Sequence, residues 1–154
     1  EKPEFIARRI VIAAAEDVGL ANPNALQVAV AAAQAVEMIG WPESRIILAE
    51  AALMVACSPK SNSAYMGIEK ALEDVRKSDI GQVPLHLRDA HYSGAKDLGR
   101  GIGYKYSHDF PDGRADQQYM PDPLTGKQYY VPKNIGAEAD IKKNLDEISK
   151  KKMT

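Results

Sequence analysis

Apolar residues recur along the first half of the chain with the period of an α-helix, and the breaks between periodic stretches fall at Gly and Pro. The first stretch predicts a helix from about Pro3 to Val18, with Ile6, Ile10 and Ala13/Ala14 at helical spacing and Gly19-Leu20 as a left-handed stop followed by an apolar residue. Asn22 reads as an N-cap with Pro23 at the first helical position, opening a second helix, Asn24 to Ile39, that Gly40 ends. Pro42 and Glu43 open a third, Glu43 to Cys57, which stops at Ser58-Pro59. Ser61 or Asn62 caps a fourth, in which Tyr65, Ile68, Leu72 and Val75 form an apolar stripe while Glu69, Lys70, Glu73 and Lys77 face water.

The second and third helices carry more apolar surface than one buried face requires. Leu26, Val28, Val30, Val36, Met38 and Ile39 stand among alanines, with Gln27, Gln34 and Glu37 as the polar breaks. Such helices are either central in a monomeric bundle or covered by another chain. The second alternative makes Leu26, Val30, Val36, Met38, Ile47, Leu53 and Met54 the candidate subunit interface.

The pattern changes near Ser78. Beyond it lie all three histidines, six of the seven tyrosines and frequent Gly and Pro, which predicts irregular structure held by aromatic packing. Ala90 to Leu98 could form a short helix, and Asp116–Tyr119 and Gln128–Val131 read as two short strands joined by a turn. Ala137 to about Lys151 predicts an amphipathic helix with Ile141, Leu145 and Ile148 on one face and Lys150, Lys151 and Lys152 at its C-terminal dipole. The expected architecture is thus mainly α: a helical domain over 1–77, then an irregular Tyr/Gly/Pro-rich satellite over 78–154 with a short β-hairpin and a closing helix.

Composition narrows the function classes. An apolar fraction of 45% over 154 residues is enough for a core, and a net charge of −1 gives no long-range pull on phosphate backbones or anionic membranes. No apolar run reaches the roughly 20 residues of a membrane span. The single Cys57 excludes an internal disulfide and, in the run Ala51–Ala56, is expected to be a buried inert thiol in a reducing cytoplasm. The start Glu1-Lys2-Pro3-Glu4 has no signal-peptide features and no initiator Met, so an excised piece of a larger protein is expected.

Candidate chemistry is sparse. A phosphate loop needs Gly-x4-Gly-Lys-Ser/Thr, and the frame around Gly126-Lys127 has Pro121 and Gln128 at two defining positions. His86 and His91 are five apart, off the i, i+4 spacing of a helical metal site, so histidines bonded to backbone are preferred to a metal centre built with Asp109, Asp112 and Asp116. Gly99-Arg100-Gly101-Ile102-Gly103 reads as a closely packed turn, lacking the strand and helix of a dinucleotide loop. Lys96, Arg100 and Lys105, interleaved with Tyr92, Tyr104 and Tyr106, are the best candidates for contact with DNA, with Lys127 and Lys133 beside them; Asp89, Asp97 and Asp109 can neutralise that patch. Asp17 opposes the first helix's dipole and is expected to have a compensating partner.

A series of motifs gives these readings a frame: Phe5-Ile6-Ala7-Arg8-Arg9, Ala15-Glu16-Asp17-Val18-Gly19-Leu20-Ala21, Pro59-Lys60-Ser61-Asn62 before a tyrosine helix, Gly103-Tyr104-Lys105-Tyr106-Ser107-His108-Asp109, Gln117-Gln118-Tyr119-Met120-Pro121 and Tyr129-Tyr130-Val131-Pro132. In order and across almost the whole chain, they resemble the C-terminal part of the RarA/MgsA family, bacterial replication-associated recombination ATPases related to the eukaryotic Werner-helicase-interacting protein. The resemblance implies a helical oligomerisation domain similar to that of clamp-loader subunits, assembling a tetramer. It places ATP and Mg in the N-terminal part of a DNA-dependent AAA+ ATPase acting at stalled forks, and no catalytic residue, cofactor or metal in this fragment. Single-stranded-DNA-binding protein and other replication proteins are implied as partners, and a nucleoid-associated cytoplasmic location. The alternative is a local module that binds single-stranded DNA or duplex ends.

Overall fold

The computed structural model describes residues 1–95 and 97–151. They form two compact units, one of Glu1–Lys70 with Tyr129–Thr154 and the other of Ala71–Gln128. The described residues contain five α-helices, α1 (Pro3–Ala13), α2 (Pro23–Ile39), α3 (Ser44–Cys57), α4 (Ser63–Lys77) and α5 (Glu138–Lys151), and no strand.

The first three helices pack on one another. α1 runs on into a π turn, Ala14–Val18, and then a 3-10 turn, Gly19–Ala21, opened by Gly19, whose φ of 51° favours glycine. α2 and α3 end where Gly40 and Ser58 were expected to stop them. Asn22 does occupy the N-cap position of α2, but its side chain makes no capping bond. Its Nδ2 donates instead to Ser58 Oγ at 2.9 Å, and Ser58 Oγ donates to the Met54 carbonyl at 2.6 Å, which joins the start of α2 to the end of α3.

The core is built of small residues. Ala14, Val18, Ala25 and Ala29 form one buried cluster with Ile10, Val11, Met54 and Val55 against it, and Ala7, Val36 and Leu48 form a second. Alanine at the contacts lets helix backbones approach closely, but each contributes little apolar area, so the larger aliphatic side chains remain outside.

Several expectations are corrected. The stripe Tyr65, Ile68 and Val75 on α4 is exposed, with Leu72 half-buried; the buried positions of α4 are Ser63 and Gly67. Gly67 is buried because backbone approaches it: a Cβ there would lie 3.4 Å from the Tyr129 carbonyl oxygen. Residues 90–95 and 97–98 form turns, not a helix, since Gly94 and Gly99 take φ of 84° and 71°. The predicted strands do not pair. Pro121 and Pro123 flank a short 3-10 turn, Asp122–Leu124, and Gln118 Nε2 donates to the Met120 carbonyl and to Asp122 Oδ1, so local bonds replace a ladder. Cys57 is exposed, not buried. α5 forms as expected, with Ile141 and Ile148 half-buried and Leu145 38% exposed; Lys152 lies outside the described residues.

Candidate functional site

Glu138, the first residue of α5, is fully buried. Ser63 Oγ and the Tyr130 hydroxyl both donate to its Oε1, the latter at 2.9 Å. Burial pushes its carboxyl up, but hydrogen bonds from Ser61, Ser63, Tyr130 and the Lys133 backbone N–H outweigh that and hold it below the usual carboxylate range. Burial and the bond to Glu138 push the Tyr130 phenol up to about 12. A buried carboxylate is tolerable only where donors reach it, and here Ser63 of α4 and Tyr130 supply them to Oε1 of the first residue of α5.

Backbone contacts complete the assembly. The Ala137 N–H donates to the Ala21 carbonyl at 2.9 Å. A Cβ on Gly136 would collide with that same carbonyl oxygen and stand 2.8 Å from Pro59 Cγ, and one on Gly19 would lie 2.6 Å from the Ser61 carbonyl oxygen. Three motifs singled out in the sequence, Ala15–Ala21, Pro59–Asn62 and Tyr129–Pro132, therefore converge in the first unit. Sequence reasoning missed Glu138, because an acidic residue in a helix's first turn ordinarily needs no explanation beyond the dipole.

Beside this cluster an open depression of about 350 Å³ is lined by Asp17, Lys60, Asn62 and Lys133. Lys60 Nζ donates to the carbonyls of Val55, Ala56 and Ser58 at 2.7, 3.2 and 2.6 Å, capping the end of α3. Lys133 Nζ donates to Asn62 Oδ1 at 2.7 Å. Asp17 has no ion pair among the described residues; the two lysines of the depression are the cations that share its surroundings.

In the second unit, Gln117 grips both backbone groups of Lys105: the Lys105 N–H donates to Gln117 Oε1 at 3.1 Å and Gln117 Nε2 donates to the Lys105 carbonyl at 2.9 Å. Two more of the motifs, Gly103–Asp109 and Gln117–Pro121, are thereby paired. His86 Nε2 bonds the Gln118 carbonyl at 2.8 Å, as expected of a histidine tied to backbone, whereas His91 Nδ1 pairs with Asp89 Oδ1 at 2.8 Å. The backbone N–H and ring of His91 hold the Asp89 carboxyl below its usual range.

The described candidate DNA-contact residues each have a partner of their own. The Arg100 guanidinium lies 5.2 Å from the centre of the Tyr92 ring, Lys105 Nζ donates to the Asp116 carbonyl at 2.8 Å, and Lys127 pairs with Asp74 at 2.6 Å. Lys133 belongs to the first unit, and Lys96 lies outside the described residues.

The interface candidates divide. Val36 is buried in the core, and Ile47 and Met54 are half-buried, whereas Leu26 (39%), Val30 (40%), Leu53 (63%) and Met38 (82%) are exposed. Ile46, not singled out before, is 64% exposed. Ile46 and Leu53 are two turns apart on the face of α3 opposite Leu48 and Ala51.

These features define a helical packing module of an alanine-cored bundle clamped to its own C-terminal arm. The chain belongs to the family described as MgsA AAA+ ATPase C terminal, whose model matches residues 1–149, as the motif resemblance implied. It is 51% identical over 150 residues to the replication-associated recombination protein A of Bacillus subtilis, covering 97% of this chain and 36% of that protein. It is 52% identical over 148 residues to an AAA domain-containing protein of Mycobacterium tuberculosis, covering 96% and 33%. With the replication-associated recombination protein A of Escherichia coli K12 it shares 39% over 144 residues, 93% of this chain and 32% of the relative. The chain thus spans about a third of the length of these relatives. No helix is long and apolar enough to cross a membrane among the described residues.

Proposed function

We propose that this chain is the self-association module of a replication-associated recombination ATPase. The observation that carries the reading is the inverted burial of α2 and α3: Ala25, Ala29, Ala32 and Ala51 are inside while Leu26, Val30, Met38, Ile46 and Leu53 are outside. Apolar surface left in water forgoes about 25 cal/mol per Å², so several large aliphatics on neighbouring helices favour burial against another copy. Homo-oligomer interfaces are richer in such residues than the remaining surface. The family supports a tetramer resembling the clamp-loader collar, with ATP and Mg bound, and DNA engaged, by the parent protein outside this chain. On this reading the parent works among replication proteins on the nucleoid in the cytoplasm.

Size-exclusion chromatography with light scattering tests it. The expected mass is about four times the 16.8 kDa of one chain. A strict monomer at high micromolar concentration overturns the proposal.

The second reading, a DNA-binding module, is favoured by one observation: Arg100 stacks over Tyr92 with Tyr104 and Tyr106 exposed, a platform of the kind on which unpaired bases stack. Fluorescence anisotropy with single-stranded DNA at low salt checks it, and Arg100→Ala should weaken any binding about tenfold.

A further inference from the structure

The geometry points to the depression lined by Asp17, Lys60, Asn62 and Lys133 as a phosphate-binding site. This inference is independent of self-association. Surface lysines ordinarily lose side-chain entropy when they close on an anion, which offsets most of what they gain. Both lysines here are already held. Lys60 is fixed by the three carbonyls at the end of α3, so its ammonium donors are used and it contributes charge. Lys133 is held by the bond its side chain donates to Asn62 Oδ1.

Lys133 and Asn62 keep further donors at the lining of the depression. Lys133 Nζ spends one N–H on Asn62 and has two more to give. With Asn62 Oδ1 taken as acceptor, the amide Nδ2 is the end of that side chain available to an anion. Two ammonium groups against the one carboxylate of Asp17 leave a single net positive charge around an opening of about 350 Å³, room for a phosphate and its water. A net positive charge attracts phosphate in either form, the dianion more strongly than the singly charged diester, and the Asp17 carboxylate weakens the attraction for both.

Phosphate of this kind comes either from free phosphate or from a nucleic-acid backbone, and one titration separates the sources. Amide resonances of Asn62 and Lys133 would be followed by NMR in this chain against inorganic phosphate, dimethyl phosphate and a short oligothymidylate. We expect saturable shifts at Asn62 and Lys133 with inorganic phosphate, and with dimethyl phosphate at higher concentration. Tighter saturation with oligothymidylate supports the site and assigns a nucleic-acid backbone as its ligand; equal saturation with dimethyl phosphate supports the site for an isolated phosphate group. Lys133→Met should abolish the shifts, and Asp17→Asn should tighten binding severalfold. Shifts that never saturate, that survive Lys133→Met, or that are indifferent to Asp17→Asn in a folded protein overturn the inference.

Discussion

Ser63 and Glu138, 75 residues apart, meet in a buried hydrogen bond that ties the start of α4 to the start of α5. Removing the carboxylate takes a partner from the buried hydroxyl of Ser63 and from that of half-buried Tyr130. Glu138→Ala is therefore expected to cost on the order of 2–4 kcal/mol, measured by urea unfolding. An unchanged midpoint would remove Glu138 from its place as the clamp.

The same group makes stability depend on pH. Because the folded state holds Glu138 below its ordinary value of 4.5, its contribution is complete above that value and is lost as pH falls through the lower folded value. The wild-type urea midpoint should fall more steeply below about pH 5 than that of Glu138→Gln. At the alkaline end the sign reverses: Tyr130, pushed up to about 12, gives a contribution that is complete below its ordinary 10.0 and lost as pH rises toward 12. Tyr130→Phe should flatten that alkaline loss.

Gly136 combines a φ of 53° with a backbone neighbour where a Cβ would sit. Gly136→Ala is expected to destabilise by about 2 kcal/mol or more and to speed proteolysis within Tyr129–Lys151. Gly103→Ala has a φ of 80° but open space around it, and should cost only about 1 kcal/mol. Similar losses for both would mean that the contact with Ala21 is unimportant.

Val36 and Leu53 were placed together by sequence and are separated by burial, at 2% and 63% exposed. Val36→Ala should cost on the order of 2 kcal/mol while the assembly keeps its mass. Leu53→Glu should leave helical content intact and shift the light-scattering mass toward the monomer. Exposed Cys57 reports on the same helix: its alkylation should be slower in the assembled protein than in Leu53→Glu.

Gln117 acts on Lys105 as a neighbouring strand would, accepting its N–H and donating to its carbonyl. Gln117→Ala should raise the hydrogen-exchange rate of the Lys105 amide several-fold, in line with the loss of about 1 kcal/mol of hydrogen bonding. No change would show that another contact holds that turn.

The positions of α1, α2, α3 and α5 were legible in the sequence because they are set by local chemistry: apolar period, Pro at helix starts, Gly19 and Gly40 at helix ends. Family membership was legible too, since the motifs are short runs that need no three-dimensional information. What tertiary structure alone decided was which side of each helix is inside. Periodicity marks where large apolar residues recur and so suggested Tyr65, Ile68 and Val75 as the buried face of α4; packing chose Gly67, which the Tyr129 backbone approaches, and Ser63, which bonds Glu138. The Glu138 cluster has the same origin. Its donors come from positions far apart along the chain, and only their meeting makes a buried carboxylate affordable.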